Sequence, residues 1–278
     1  MHLKWVCVIA VVAVTVFAMG IPAVQAETLT KVFCVDDGSW EDDENWRLDD
    51  CEGDSTIQPD DDDHAIIDTN ITCELNESGE GCGDLTVRSG ATLNINDGKT
   101  LQITGDSGTT SSTITGTLNL TAANSKLNVT DNDHTFTGTG TIVGQHADAQ
   151  IDLGGNVTLT NETTIAGILR IERTLVGGDT FRNDGTVNAN ASGILVINAS
   201  TVADGSNGEW TVTASGATLR FDPDGSTQAT LVGAFTVSAG VLDIDPPGLT
   251  TTGALTFTGG TIDCADLGSE EVAEFTGS

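Results

Sequence analysis

The sequence predicts an all-β protein folded as a right-handed parallel β-helix, a β-solenoid of about seven coils of about 25 residues each. Three observations lead to this fold class. One motif returns at a nearly constant interval, the segments between its copies are short runs of alternating apolar residues, and no helical periodicity is present from Leu85 to Cys264.

The recurring motif is a small residue, usually glycine, followed by an apolar residue, any residue and a second apolar residue. Gly90, for example, precedes Leu93-Asn-Ile95. Successive leading apolar residues are 23 to 27 residues apart, and they are Leu93, Leu118, Ile142, Leu169, Leu195, Leu219 and Leu242. Because a fixed interval is typical of stacked repeats, we expect these seven side chains to form one inward ladder.

A chain of β-hairpins is the alternative. The runs Leu93–Ile95 and Leu101–Ile103 are separated by Asn96-Asp97-Gly98, which is good turn chemistry, and successive hairpins would build an antiparallel β-sandwich. Hairpins do not require one motif to recur at a steady interval, so the solenoid is the favoured fold.

The N-terminal residues 1–26 have the features of a secretory signal peptide. His2 and Lys4 precede an apolar run from Trp5 to Met19, and small residues lead to a cleavage position after Ala26. The run is short for a bilayer span of about 20 residues. We therefore expect an exported protein, secreted or held at the cell surface, with no membrane insertion after cleavage.

Residues 27–84 are interpreted as an acidic, cysteine-rich N-terminal cap that includes a first irregular coil, residues 85–264 as the repeat domain and residues 265–278 as a C-terminal tail. The cap contains Cys34, Cys51, Cys73 and Cys82, and in an exported chain this suggests two disulfides. Pairing Cys34 with Cys51 and Cys73 with Cys82 is the simplest of three arrangements, and zinc is a weaker alternative because no C-x-x-C is present. The remaining Cys264 is expected to be unpaired, to pair between chains, or to belong to a longer parent chain.

The net charge is −31, from 10 Lys plus Arg against 41 Asp plus Glu. This charge repels nucleic acid and anionic lipid, so neither is an expected partner. It attracts cations, and calcium is the one candidate cofactor. Its candidate ligands are Asp60, Asp61, Asp62, Asp63, Asp131, Asp133, Asp222 and Asp224, although none of these loops completes an EF-hand.

Two features resemble bacterial secreted right-handed β-helix surface proteins, the broad class of adhesin and autotransporter passenger regions. One is the set of Gly/Asn/Thr-rich Leu-x-Ile repeats over residues 85–264, and the other is the segment Gly38-Ser-Trp40 with Asn45-Trp46. The resemblance covers about two thirds of the chain and rests on composition and repeats. It implies a passive surface role, without the transporter barrel that follows such regions.

The sequence predicts a non-enzymatic protein with a structural, adhesive or matrix role. Its expected partner is an extracellular polymer, a cell surface or other copies of itself. A β-helix polysaccharide lyase or hydrolase is the first alternative, but no acid, base or nucleophile stands out among the carboxylates. An ice- or glycan-binding solenoid is the second. Pairs such as Thr135-Phe-Thr137 and Thr256-Phe-Thr258 suggest a threonine face, yet they occupy different places in the repeat, so the ladder is expected to be broken.

Overall fold

The computed structural model describes residues 29–52, 55–105, 110–173, 178–222, 230–244, 250–251, 253–263 and 274–275. They form a parallel β-solenoid of about eight turns. A single turn of 3-10 helix, Asp43–Asn45, is the one helical element within these ranges. No helix in the described part of the chain is long and apolar enough to cross a bilayer.

The strands are short, and most have four residues. In chain order they are β1 (Thr30–Phe33), β2 (Gly38–Ser39), β3 (Trp46–Leu48), β4 (His64–Ile67), β5 (Thr72–Leu75), β6 (Glu80–Cys82), β7 (Asp84–Val87), β8 (Thr92–Ile95), β9 (Thr100–Ile103), β10 (Thr110–Ile114), β11 (Thr117–Leu120), β12 (Lys126–Thr130), β13 (His134–Thr137), β14 (Thr141–Gly154), β15 (Thr158–Asn161), β16 (Thr164–Arg173), β17 (Thr180–Asn183), β18 (Thr186–Ala189), β19 (Gly193–Asn198), β20 (Thr201–Asp204), β21 (Glu209–Val212), β22 (Ala217–Phe221), β23 (Thr230–Leu231), β24 (Ala234–Val237), β25 (Val241–Ile244), β26 (Thr250–Thr251), β27 (Leu255–Phe257), β28 (Thr261–Asp263) and β29 (Glu274–Phe275).

A regular turn contributes one strand to each of three faces. Face A stacks β1, β4, β7, β10, β13, β15, β17, β20, β23, β26 and β29. Face B stacks β2, β5, β8, β11, the first halves of β14 and β16, and then β18, β21, β24 and β27. Face C stacks β6, β9, β12, the second halves of β14 and β16, and then β19, β22, β25 and β28. These pairings are all parallel, so the predicted solenoid is confirmed and the antiparallel sandwich is excluded.

The predicted single inward ladder was wrong, because its members lie on two faces. Leu93, Leu118 and Ile142 stack on face B, whereas Leu195, Leu219 and Leu242 stack on face C. The strands β14 and β16 run through the corner between these faces, and the register shifts there after Gln145. Strands on both faces need the same alternation of apolar residues. The motif therefore recurs at nearly the same sequence interval although its early copies lie on face B and its late copies on face C.

The core is one continuous apolar column inside the coils. Inward residues alternate with outward ones along each strand, as the period of two requires. Leu101, Leu127 and Ile151, for example, stack in register and are fully buried. Aligned side chains of this kind fill the interior without any contribution from a second layer, so stability accumulates turn by turn along the solenoid.

The N-terminal end of the core is covered. Strand β3 pairs antiparallel with β1 and so occupies the outer edge of face A. Trp40, Trp46 and Phe33 are fully buried, and Trp46 makes edge contacts with the other two rings, at 4.8 and 5.2 Å between centroids. An exposed first strand would invite pairing with another chain, so this arrangement protects the edge.

Coil stacking begins within residues 27–84, the segment interpreted as the cap with a first irregular coil. Strand β1 already pairs in parallel with β4, and β4 pairs with β7. The early coils were hidden in the sequence because acidic loops interrupt them and cysteines replace some of their apolar residues.

Cys34 and Cys51 form the predicted disulfide, with an S–S distance of 2.00 Å, and it closes the covering segment onto β1. The second predicted disulfide is absent from the structure, since Cys73 and Cys82 are both free thiols. Cys73 stacks beneath Leu93 on face B, and Cys82 beneath Ile103 on face C, so each fills an inward apolar position. Burial raises the pKa of both thiols, and each acts as a small hydrophobic side chain. Cys264 lies outside the described residues.

One buried histidine makes stability depend on pH. His134 is 1% exposed, and its two ring nitrogens lie 2.6 Å from Thr110 Oγ1 and 2.8 Å from Ser112 Oγ. Burial lowers its pKa to about 4. A histidine in the unfolded chain has a pKa near 6.5, so the unfolded state takes up a proton first as the pH falls.

We expect the free energy of unfolding to fall by about 3 kcal/mol between pH 7 and pH 4 through His134 alone. Urea unfolding at several pH values measures this, with His134→Gln as the test variant. The variant should lack that part of the decline. Equal pH profiles for His134→Gln and the wild type would contradict the expectation.

Candidate binding surface

Face B presents an unbroken column of outward threonines. Six consecutive turns each begin their face B strand with threonine, and these residues pair in register: Thr72, Thr92, Thr117, Thr141, Thr164 and Thr186. At about 4.8 Å per rung the column is about 24 Å long. Threonine suits this position because a β-branched side chain packs well on a pleated surface.

A second outward column runs beside the first, two residues further along each strand. Over the five turns from Thr92 to Thr186 it contains Asn94, Asn119, Val143, Ala166 and Asn188, of which Ala166 is only 3% exposed. We call these ten residues, five in each column, the neutral strip. No ionisable side chain occurs among them, in a protein whose net charge is −31. Glu74 lies at one end of the strip and Glu209 at the other.

The threonine hydroxyls of the strip are almost all available to a ligand. Within the described residues only Thr186 Oγ1 has a protein partner, Glu209 Oε2 at 3.5 Å. On face A, by contrast, Thr113 Oγ1 and Thr137 Oγ1 bond to each other at 3.3 Å. The side chains of the strip's threonines are partly exposed, so they present regularly spaced donors and acceptors to a partner.

Two of the three asparagines of the strip are ordered by hydrogen bonds along their column, and the third, Asn188, accepts from Thr213 Oγ1 at 3.0 Å. Asn119 Nδ2 donates to Asn94 Oδ1 at 2.8 Å, and Asn94 Nδ2 donates to Glu74 Oε1 at 2.6 Å. These bonds fix the orientation of the amide groups before any partner arrives. A preorganised surface loses less conformational entropy on binding.

Face C is different, because ion pairs cover it. Lys126 Nζ lies 3.2 Å from Asp152 Oδ2, Arg220 Nε lies 2.7 Å from Asp243 Oδ2, and Arg170 pairs with Glu172. Burial raises the pKa of Asp152 despite its lysine partner. Charged groups that already have partners make face C a poor candidate for binding an uncharged surface.

The calcium candidates are dispersed, and one of them is already engaged. Asp63 is buried against Lys31, at 2.5 Å between Nζ and Oδ2. Its neighbours 60–62 are exposed, and the Asp60 N–H donates to Asp63 Oδ2. The turn is therefore held by its own hydrogen bonds and by a lysine.

The other acidic loops do not join them. Asp133 Oδ1 accepts a hydrogen bond from the Thr158 N–H at 2.7 Å, Asp131 is an exposed turn residue, and Asp222 follows β22. Asp224 lies outside the described residues. In the ranges that the structure describes, no group of three or more His, Cys, Asp or Glu side chains is placed to hold a metal ion. Calcium binding stays a prediction.

The Thr-x-Thr pairs do not form one ladder, as expected, because Thr135 and Thr137 belong to face A whereas Thr256 belongs to face B. The aligned column consists of other threonines, which the sequence reasoning missed. The signal for the column was different: one threonine directly before the first inward apolar residue, as in Thr92-Leu93, Thr117-Leu118 and Thr164-Ile165. Comparison with protein families, with curated proteins and with solved structures finds no match to this chain.

Proposed function

We propose that this protein is a secreted or cell-surface, non-enzymatic β-solenoid that adheres through the neutral strip to an uncharged extracellular polymer. A neutral polysaccharide presented as an ordered surface is the polymer class that fits best. The single observation that supports this role is the strip itself: five turns of aligned, uncharged side chains on a strongly acidic protein, with four threonine hydroxyls that have no hydrogen-bond partner within the described residues, those of Thr92, Thr117, Thr141 and Thr164.

The physical argument concerns charge and rigidity. A surface with a net charge of −31 repels other anions, so attachment to an acidic polymer would need bridging cations. An uncharged polymer meets no such barrier at the strip. Because the strip is part of a continuous parallel sheet, its hydroxyl spacing is fixed, and many weak contacts can form at once with a repeating partner. The Cys34–Cys51 disulfide agrees with an extracellular setting.

The test is co-sedimentation with insoluble cellulose and chitin at physiological salt. We expect the wild type to bind at least one of them, and Thr117→Lys and Thr141→Lys each to weaken binding at least tenfold, since a lysine in mid-strip blocks close approach of a flat partner. Ten-fold corresponds to about 1.4 kcal/mol. The matched control is Thr160→Lys, an outward threonine of face A, which should bind within twofold of the wild type. Equal loss in all three variants, or binding to neither polymer, would refute the proposal.

A second candidate is binding to ice, which the even spacing of unbonded hydroxyls on the strip also favours. Thermal hysteresis of the wild type, and its loss in Thr141→Lys but not in Thr160→Lys, would favour this candidate over polysaccharide adhesion. Neither candidate function involves a catalytic step at the neutral strip. A lyase or hydrolase would require polymer cleavage, measured as new reducing ends or unsaturated products.

A further inference from the structure

A polar cleft lies at the edge between faces A and B, in the turns that follow β15, β17 and β20. Its volume is about 410 Å³, and its lining residues are Glu162, Arg182, Asp184, Gly205, Ser206 and Asn207. A site of this size is in the range of small-ligand pockets. It is separate from the outward face of the neutral strip, because it opens at the corner that precedes the face B strands.

The floor of the cleft is rigid. Asn161, Asn183 and Asp204 end three stacked face A strands in register and are buried. Asn161 Nδ2 donates to Asn183 Oδ1 at 2.8 Å, and Asn183 Nδ2 donates to the Glu209 carbonyl at 3.0 Å. The residue that follows each floor residue in the chain, namely Glu162, Asp184 or Gly205, is a lining residue. The lining is therefore set by an ordered hydrogen-bonded column below it.

Arg182 and Asp184 are fixed against each other, with Arg182 Nε donating to Asp184 Oδ2 at 2.7 Å. This hydrogen bond raises the pKa of the guanidinium. The side chain of Arg182 is nevertheless 45% exposed, and within the described residues its two Nη groups have no hydrogen-bond partner. Asp184 Oδ1 is buried without a partner. A Cβ on Gly205 would collide with Asp184 Oδ1, so glycine there leaves room for the pair.

The remaining lining groups also keep their hydrogen-bonding capacity. Glu162, Ser206 and Asn207 are exposed, and their side chains make no hydrogen bond within the described residues. The cleft therefore offers carboxylate acceptors, guanidinium donors, an amide and a hydroxyl within one small volume. Its two carboxylates disfavour an anion, and its guanidinium disfavours a metal cation. A neutral polyol satisfies all of these groups, because each hydroxyl donates one hydrogen bond and accepts others.

We propose that this cleft binds one or two residues of a neutral oligosaccharide, with Arg182 and Glu162 bonding to neighbouring hydroxyls. Arg182 donates through its free Nη groups while Asp184 holds its orientation. Glu162 accepts from the adjacent hydroxyl, and the Asn207 amide closes the opposite side. The site takes short soluble sugars, whereas the neutral strip is suited to an extended polymer surface, so neither site depends on the other.

Isothermal titration with soluble cellotetraose, chitotetraose and mannotetraose tests the proposal on the full mature chain. We expect one-to-one binding of at least one tetrasaccharide, and a dissociation constant raised at least tenfold in Arg182→Gln and in Glu162→Gln. The matched control is Arg88→Gln, since Arg88 is 43% exposed and pairs with Asp68 at 2.6 Å, much as Arg182 pairs with Asp184. It should bind as the wild type does.

Two further variants distinguish loss of sugar binding at the cleft from loss of folding and from loss of adhesion at the neutral strip. Asn207→Ala changes an exposed loop side chain and should weaken binding several-fold with an unchanged thermal midpoint. Thr117→Lys should leave tetrasaccharide binding unchanged even where it abolishes adhesion to polymer. Binding of none of the three sugars, equal affinity in Arg182→Gln and wild type, or calcium uptake that depends on Glu162 in place of sugar binding would each overturn the proposal.

Discussion

Replacing Lys31 by methionine is expected to lower the free energy of unfolding by about 3–5 kcal/mol. Lys31 and Asp63 form an ion pair at 2.5 Å with side chains only 2% and 3% exposed. Lys31 Nζ also donates to the Gln58 carbonyl at 2.9 Å, and Asp63 Oδ1 accepts from the Leu29 N–H at 3.1 Å. Removing the lysine leaves a carboxylate in the interior without its countercharge, and that desolvated charge accounts for the cost.

The surface pair formed by Arg88 and Asp68 is the internal control. Its side chains are 43% and 27% exposed, so Arg88→Met should cost less than about 1 kcal/mol. The double variant Lys31→Met/Asp63→Asn should be more stable than Lys31→Met alone, because it also removes the stranded charge. Urea unfolding under oxidising conditions measures all of these. The argument fails if Lys31→Met costs no more than Arg88→Met, or if the double variant is as unstable as the sum of its single changes.

This ion pair also explains how the N-terminal end is attached. Lys31 belongs to β1, the first rung of face A, while Asp63 ends the acidic loop that covers the first turns. From the sequence, the Asp60–Asp63 run was a candidate calcium site, since four adjacent carboxylates suggest a cation. In the structure Asp63 pairs with the ammonium group of Lys31, which lies more than thirty positions earlier in the chain. No local sequence pattern indicates that pairing.

The fold was largely predictable because the solenoid repeats one physical requirement. Every rung needs two inward apolar residues and an outward polar residue between them, so the Leu-x-Ile pattern recurs and indicates stacked parallel strands. The cysteine pattern was less informative. It favoured pairing Cys34 with Cys51, which is confirmed, and by the same reasoning pairing Cys73 with Cys82, which is wrong.

Register was not predictable in the same way. Corners between faces differ in length from turn to turn: between faces B and C, the step from Gln145 to Gln150 in β14 lies opposite the shorter step from Ile168 to Arg170 in β16. Cys73 and Cys82 were misinterpreted as a disulfide because their inward positions appear only after the register is known. The threonine column was missed for the same reason, because its members align only when the strands of each face are compared separately. The cleft depends on three stacked corners, which no single repeat contains.

The second large effect is expected at Trp210, where truncation to alanine should cost about 3–5 kcal/mol. Trp210 is 1% exposed and contacts three rings: Phe221 at 5.0 Å, Phe235 at 6.1 Å and Phe181 at 6.2 Å between centroids. Alanine would leave a cavity at the meeting point of these side chains, and stacked coils cannot collapse to fill it without losing register.

The indole N–H connects this aromatic cluster to the cleft. Trp210 Nε1 donates to Asp204 Oδ2 at 2.8 Å, and the backbone N–H of Gly233 donates to the same oxygen at 3.0 Å. Burial raises the pKa of Asp204, and these hydrogen bonds oppose that rise. Asp204 directly precedes Gly205 of the cleft lining, so losing the indole should loosen the cleft as well as the core.

Trp210→Phe separates the two effects, because it keeps an aromatic ring in the core, although a smaller one, and removes the N–H donor. It should cost about 1.5–3 kcal/mol, the usual contribution of a hydrogen bond to a charged group, and so be more stable than Trp210→Ala, since Asp204 Oδ2 keeps the Gly233 N–H. Denaturant unfolding gives both values, and hydrogen exchange at the Val232 and Gly233 amides reports on the Asp204 contacts. If Trp210→Phe were as unstable as Trp210→Ala, the indole hydrogen bond and not ring packing would dominate. If neither variant changed stability by more than about 1 kcal/mol, the aromatic cluster would not be the organising element of these turns.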